Sequence, residues 1–235
     1  MSFATASAPE PVIWHRMTAA APPVLVPSAL RRPLFLAAAL AAVVFTVLAV
    51  RYAGTSGAGP FDARVDAVIN PIGVAHHRST HFTAALGSPF SVITLALVLA
   101  ALCYRLHRRS LAVLAIVGPG ITGVLTTGLK PLLGRTIGDG FAYPSGHTGG
   151  ATALGLVAAL LVISLARPGR AAGIGIVAAS GVLCGGVVGM AMVAIGAHYP
   201  TDVVGGYCTA VAVVCGAALT LDRRAERRPP DGEAP

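Results

Sequence analysis

The sequence predicts an all-α polytopic membrane protein, a six-transmembrane helix bundle, on three observations. Hydrophobic residues make up 55% of the 235 and charged residues 11%, with a mean hydropathy of +0.76. A water-soluble domain carries about 25% charged residues. The apolar residues fall in six long blocks, 33–50, 82–104, 110–129, 148–166, 171–197 and 203–221. Each is close to the roughly 20 residues a helix needs to cross a hydrocarbon core. Finally, the only carboxylates between Ala67 and Leu221 are Asp139 and Asp202, and both lie between blocks or at a block's edge.

In chain order, residues 1–30 are rich in Ala and Pro and are expected to form a disordered cytoplasmic tail ahead of a membrane domain over 31–222. Block 33–50 reads as an uncleaved anchor. Its 18 apolar residues exceed a signal-peptide core, and no small-residue cleavage site follows. In the loop 52–81, "PFDARVDAVINP" sets Phe61, Val65, Val68 and Ile69 at helical spacing, with Asp62, Arg64 and Asp66 opposite. Bracketed by Pro60 and Pro71, it predicts a short helix lying along the interface. The second span follows at 82–104. The third, 110–129, holds Gly118-Pro119-Gly120, a candidate kink. The fourth is 148–166. The fifth, 171–197, carries Gly181, Gly185 and Gly189, spaced for close helix packing. The sixth is 203–221, and "RRAERRPPDGEAP" at 223–235 reads as a basic, Pro-rich cytoplasmic tail. Cys103, Cys184, Cys208 and Cys215 lie inside apolar blocks without metal-ligand spacing and read as small hydrophobes.

The basic residues orient the bundle. With the N-terminus cytoplasmic, the inside segments hold twelve (Arg16, Arg31, Arg32, Arg105, Arg108, Arg109, Arg167, Arg170, Arg223, Arg224, Arg227, Arg228) and the outside segments five (Arg51, Arg64, Arg78, Lys130, Arg135). This positive-inside bias predicts a plasma-membrane protein with both termini cytoplasmic. The formal charge of +8 therefore reads as topology and contact with anionic headgroups. The arginines are spread over alternate loops, which argues against a nucleic-acid partner.

Polar residues gather at the outer edges of spans three to six. Lys130, the only lysine in the chain, ends span three, and Arg135 follows. Ser145, Gly146 and His147 open span four, His198 closes span five, and Asp202 opens span six. Singly, each has a plainer role: an N-cap, a snorkelling lysine, an interfacial histidine. Together they suit a phosphate. A helix N-terminus offers free amides and a positive dipole end. Gly146 lets the backbone come close, Ser145 supplies a hydroxyl, and Lys130 and Arg135 supply charge. One histidine can attack phosphorus while the other protonates the leaving oxygen. Asp202, four residues after His198, is placed to accept from its Nδ1–H and leave Nε2 free.

"PSGH" at 144–147 and "HYPTD" at 198–202 make the chain resemble the type 2 phosphatidic acid phosphatase superfamily, which shares its core with vanadium haloperoxidases. The likeness spans roughly residues 60–215. It implies a membrane phosphatase acting on a lipid mono- or diphosphate (isoprenyl diphosphate, phosphatidate or phosphatidylglycerol phosphate) at the extracytoplasmic face. His198 would be the nucleophile of a phosphohistidine, Asp202 its orienting partner and His147 the general acid. Lys130, Ser145 and Gly146 would bind phosphate, with no metal or other cofactor. Two family arginines are absent. Where the first motif has Arg-Pro stand Ile137 and Gly138, with Arg135 two residues earlier as substitute; where the third has Ser-Arg stand Ala191 and Met192. A lipid phosphotransferase using the same residues, and a non-catalytic lipid-phosphate binder, are the alternatives.

Overall fold

The computed structural model describes residues 25–227. Eight helices follow in order: α1 (Ser28–Tyr52), α2 (Pro60–Ala75), α3 (His77–Ala85), α4 (Pro89–Arg105), α5 (Arg109–Leu133), α6 (Gly146–Ala166), α7 (Arg170–Ala194) and α8 (Pro200–Glu226). A two-stranded antiparallel hairpin, β1 (Thr136–Ile137) and β2 (Gly140–Phe141), links α5 to α6. Proline begins α2, α4 and α8, where its missing N–H costs no helical bond.

Five helices, α1 and α5 to α8, are long and apolar enough to cross a membrane; α3 and α4 make a sixth as a pair bent by 55°. The protein is an integral, multi-pass, all-α membrane protein. The expected second span, 82–104, is thus not one straight rod. It breaks at Leu86-Gly87-Ser88, where Ser88 caps α4 by accepting from the Ser91 amide and Pro89 restarts the helix. The predicted interfacial helix exists but is longer, running through Pro71 to Ala75. The third span passes through Pro119 as a single helix.

α6 is the central rod and is buried on nearly all sides. Small residues let its neighbours come close. A Cβ at Gly185 of α7 would lie 2.1 Å from Thr152 Oγ1, and one at Gly189 would lie 2.3 Å from Val203 of α8 and 3.2 Å from Thr148 Oγ1. The glycine stripe therefore packs α7 against both α6 and α8, as its spacing predicts. Large apolar side chains on α1 and α4, among them Phe35, Leu40, Val47, Phe90 and Val98, face outward, as lipid-facing surface should.

At the end of the bundle away from the hairpin, the first and last spans are tied together. Buried Asp222 accepts the amides of Leu25 (3.1 Å) and Val26 (3.3 Å) and pairs with Arg31 at 2.6 Å, while Arg31 also meets Glu226. Residues 25–30, expected within the N-terminal tail, are ordered here and start α1 early; α8 likewise runs past 222. The remaining tail positions, 1–24 and 228–235, lie outside the described residues.

The turn before α6 and the first turns of α8 make one of the two tightest backbone approaches, the other being that of Gly73 on α2 to Ala194 on α7. A Cβ at Gly206 would fall 2.1 Å from the Ser145 carbonyl oxygen, which cannot swing away as a side chain would. Gly206→Ala should cost about 1–3 kcal/mol and lower the thermal unfolding midpoint in detergent, whereas Gly216→Ala, with nothing within 4 Å, should leave it unchanged or slightly raised.

Candidate active site

The turn before α6 is held by hydrogen bonds on several sides. Ser145 is its N-cap: Oγ accepts from the Thr148 amide at 3.4 Å and from Thr148 Oγ1 at 3.1 Å. The Ser145 amide donates to the Asp202 carbonyl at 3.0 Å, binding the start of α6 to the start of α8. Tyr143 is buried, and its hydroxyl donates to the Phe45 carbonyl of α1 at 2.9 Å. That burial pushes its phenol well above the ordinary tyrosine range. Gly146 and His147, half-buried, then open the helix.

Lys130 reaches this turn from the last turn of α5, donating to the Phe141 carbonyl at 3.0 Å. Lys130, Gly146 and His147 line one end of a cavity of about 860 Å³ between α4, α5 and α6. The rest of that cavity is walled chiefly by Val92, Ile93, Ala96, Leu97, Ile116 and Val124. Gly87, at the break between α3 and α4, lies over His147: a Cβ there would sit 2.8 Å from the His147 carbonyl. The broken span, not anticipated from sequence, thus forms part of the wall beside the histidine.

Arg135 lies elsewhere than expected. As a substitute phosphate ligand it would need a free guanidinium, yet it is fully buried and its terminal nitrogens are occupied. Nη1 donates to Asp202 Oδ1 and to Thr201 Oγ1, both at 2.6 Å, and Nη2 donates to Asp62 Oδ2 at 2.7 Å. Its planar face is sandwiched between Tyr52 (4.2 Å to the ring centroid) and Tyr199 (4.6 Å). Asp62, assigned from sequence to the polar face of an interfacial helix, is buried. Its Oδ1 accepts the Thr201 amide at 2.9 Å and its Oδ2 the Thr201 hydroxyl at 3.0 Å. Asp62 also accepts the Gly59 amide and so caps α2. On the next turn, burial first and then the charges of Asp62 and Asp202 raise the Asp66 carboxyl above its usual range, partly offset by Arg135. Backbone bonds from Gly54 to Leu133 (2.8 Å) and Thr136 to Thr55 (3.0 Å) close the outer loop over this cluster.

His198 is buried in the link between α7 and α8, its amide and that of Ala197 both directed at the Met192 carbonyl (3.3 and 3.0 Å). The expected bond to Asp202 is not made: Nδ1 stands 3.7 Å from Oδ2, too far for a hydrogen bond. Asp202 Oδ2 instead accepts the Tyr199 amide at 2.9 Å, capping α8. His198 Nδ1 is left buried with no partner among the described residues. His147 lies within electrostatic range of both His198 and Lys130, and Lys130 within range of Asp202. The two imidazoles and the lysine therefore belong to one neighbourhood. Met192 and Ile137 add no charge: Met192 is buried in an apolar cluster with Ala84, Ala151 and Val188, and Ile137 is half-buried in the hairpin. Asp139 is exposed at the hairpin tip.

The geometry can be set beside known proteins. Residues 122–226, which carry Lys130, the α6 turn, His198 and Asp202, match the family model of the PAP2 superfamily. The fold of the chain is similar to that of the Bacillus subtilis transmembrane PAP2 type phosphatidylglycerolphosphate phosphatase, with a TM-score of 0.61 at 20% identity over 84% of this chain and 98% of that one. No curated protein matches.

Among the cations of this site, Lys130 lines the cavity and Arg135 is enclosed by carboxylates. The two should therefore respond differently to truncation. Arg135→Ala strands two buried carboxylates and should cost about 3–5 kcal/mol, while Lys130→Ala, half-exposed and bound to one carbonyl, should cost under about 1 kcal/mol. Chemical denaturation in detergent micelles measures both.

Proposed function

We propose that the protein is an integral membrane phosphatase that hydrolyses a lipid mono- or diphosphate at the extracytoplasmic face. The observation that carries this reading is the two-part cavity. At one end are a lysine, a histidine and the first turn of α6, with its unpaired amides and positive dipole. The remainder is apolar and set among membrane spans, where an acyl or isoprenyl chain fits. A soluble phosphate ester would have no use for that wall.

The match of residues 122–226 to the PAP2 superfamily model and a fold similar to that of a PAP2 type phosphatase support the phosphatase class. An even count of six spans supports a start of α1 and an end of α8 on one side of the membrane, with the site on the other. The C-terminal ends of α5 and α7 and the N-terminal ends of α6 and α8 all meet at the site. The arginine bias makes that side extracytoplasmic.

The chemistry follows from the side chains. His198 Nε2 attacks phosphorus, the bond from phosphorus to the lipid oxygen breaks, and His147 gives that oxygen its proton. The histidine is then phosphorylated, and the lipid alcohol leaves from a monophosphate or the lipid monophosphate from a diphosphate. His147, now a base, takes a proton from water, the hydroxide attacks phosphorus, and phosphate departs as His198 is restored. Lys130 and the α6 amides stabilise the charge on the equatorial oxygens. Replacing water by an acceptor alcohol would make the same residues a phosphotransferase. With Arg135 enclosed and Met192 apolar, Lys130 is the sole lysine or arginine lining the cavity among the described residues. That makes slow turnover, or binding without turnover, the competing reading.

Protein purified in detergent should release phosphate from phosphatidate, phosphatidylglycerol phosphate or an isoprenyl diphosphate. His198→Ala should abolish release, and equal release by that variant would overturn the assignment. Lys130→Ala should lower kcat by roughly 10²–10³, the cost of losing one preorganised donor at a charged transition state. A transferase would show itself as phosphorylated acceptor, detected by product analysis when an alcohol is supplied.

A further inference from the structure

We infer that Asp62 and Arg135 are positioning residues for His198: through Thr201 and Asp202 they fix the pose of the α8 entry and hold a net negative charge against the imidazole. The inference rests on the phosphatase reading above and deepens it. Three arguments carry it.

The first is occupancy. Both Arg135 terminal nitrogens are taken by carboxylates and a hydroxyl, and both its faces by tyrosine rings, so it contributes structure and charge and does not touch substrate. Its grip on Asp202 Oδ1 turns the other oxygen toward the Tyr199 amide and His198. Asp62 completes the hold from α2, accepting both the amide and the hydroxyl of Thr201, the residue next to Asp202.

The second is the charge count. One guanidinium faces two carboxylates in a fully buried cluster, which leaves one excess negative charge. A buried net charge is costly unless a partner answers it. His198 Nδ1 is buried without a hydrogen-bond partner and lies 3.7 Å from that cluster. Attack by Nε2 puts positive charge on the ring, and this is where the excess negative charge acts. Contacts of this length shorten in a catalytic complex.

The third is completeness. The groups around His198 are Asp202 and Tyr199 at the start of α8, Asp62 and Asp66 on α2, and Arg135 between α5 and β1. Lys130 on α5 and His147 on α6 complete the set, with the Met192 carbonyl on α7. Of the three carboxylates in that set only Asp202 approaches the imidazole within 4 Å, and Asp62 acts on it through Thr201 and Arg135.

The test compares wild type, Asp62→Asn and Thr201→Val on phosphatidate, phosphatidylglycerol phosphate and an isoprenyl diphosphate in mixed micelles, with kcat, KM and the acid limb of the pH profile as readouts. Attack needs a neutral imidazole, and kcat/KM covers only the phosphorylation half-reaction, so the acid limb is read on kcat/KM. Removing the Asp62 charge disfavours the imidazolium, and the limb should move to lower pH by on the order of half a unit. At the same time kcat should fall roughly 10-fold or more, the scale for an outer partner of a catalytic group, with KM little changed. Thr201→Val keeps every charge; it should lower kcat several-fold and leave the limb in place. Wild-type kcat in Asp62→Asn, or a lowered kcat with an unmoved limb, overturns the inference and leaves the phosphatase reading intact. An inactive wild type overturns both. If Asp62→Asn is not recovered monodisperse, Thr201→Val decides: a fall in kcat at constant KM supports the inference, and wild-type kcat overturns it.

Discussion

The hairpin end of the bundle depends on one interaction, the pairing of Arg135 with Asp62 and Asp202. The three residues come from a loop helix, the link after α5 and the first turn of α8, separated by 73 and 67 positions in the chain. Burying three charges together is unfavourable unless each is paired and hydrogen-bonded. Here nearly every polar atom has a partner, Arg135 Nε and His198 Nδ1 being the exceptions near the cluster. Such a cluster tolerates little displacement, so it fixes where α8 begins and where the preceding histidine stands.

Close packing does the same work deeper in the bundle. Glycines on α7 and α8 bring backbones to distances at which a single methyl would collide. Without a hydrophobic drive between helices in lipid, such van der Waals contact is the main source of cohesion. The α6 turn is thus pinned from α8 by Gly206 and by the bond between Ser145 and Asp202, and from the break between α3 and α4 by Gly87 against His147. An amide-lined turn held on so many sides is preorganised, and preorganisation is what an anion-stabilising site requires.

Much of this was legible in the sequence. Block length and the exclusion of carboxylates from block interiors set the six spans, and the glycine spacing on α7 set its packing face. The polar set at the edges of spans three to six marked the end of the bundle that matters. Three features were not legible, for physical reasons. The break in the second span arises at Gly87 and Pro89, and hydropathy averaged over a window passes over a three-residue break in an apolar run. Asp62 looked solvated because its helix has a polar face, and burial by a distant arginine has no local signature. Arg135 was read as a ligand because charge near a phosphate motif invites that reading; only the position of its partners shows the charge to be already matched. Tyr52 and Tyr199, which stack on its two faces, carried no sequence signal.

The contact of Leu25 and Val26 with Asp222 has a topological consequence. Because the two residues ahead of the first span and the end of the last span share one carboxylate, the described helices form a closed cycle. Fraying from either extremity has to break the same hinge pin. The two extremities are therefore thermodynamically coupled, and the fold resists peeling as a hoop does, by having no seam that opens alone.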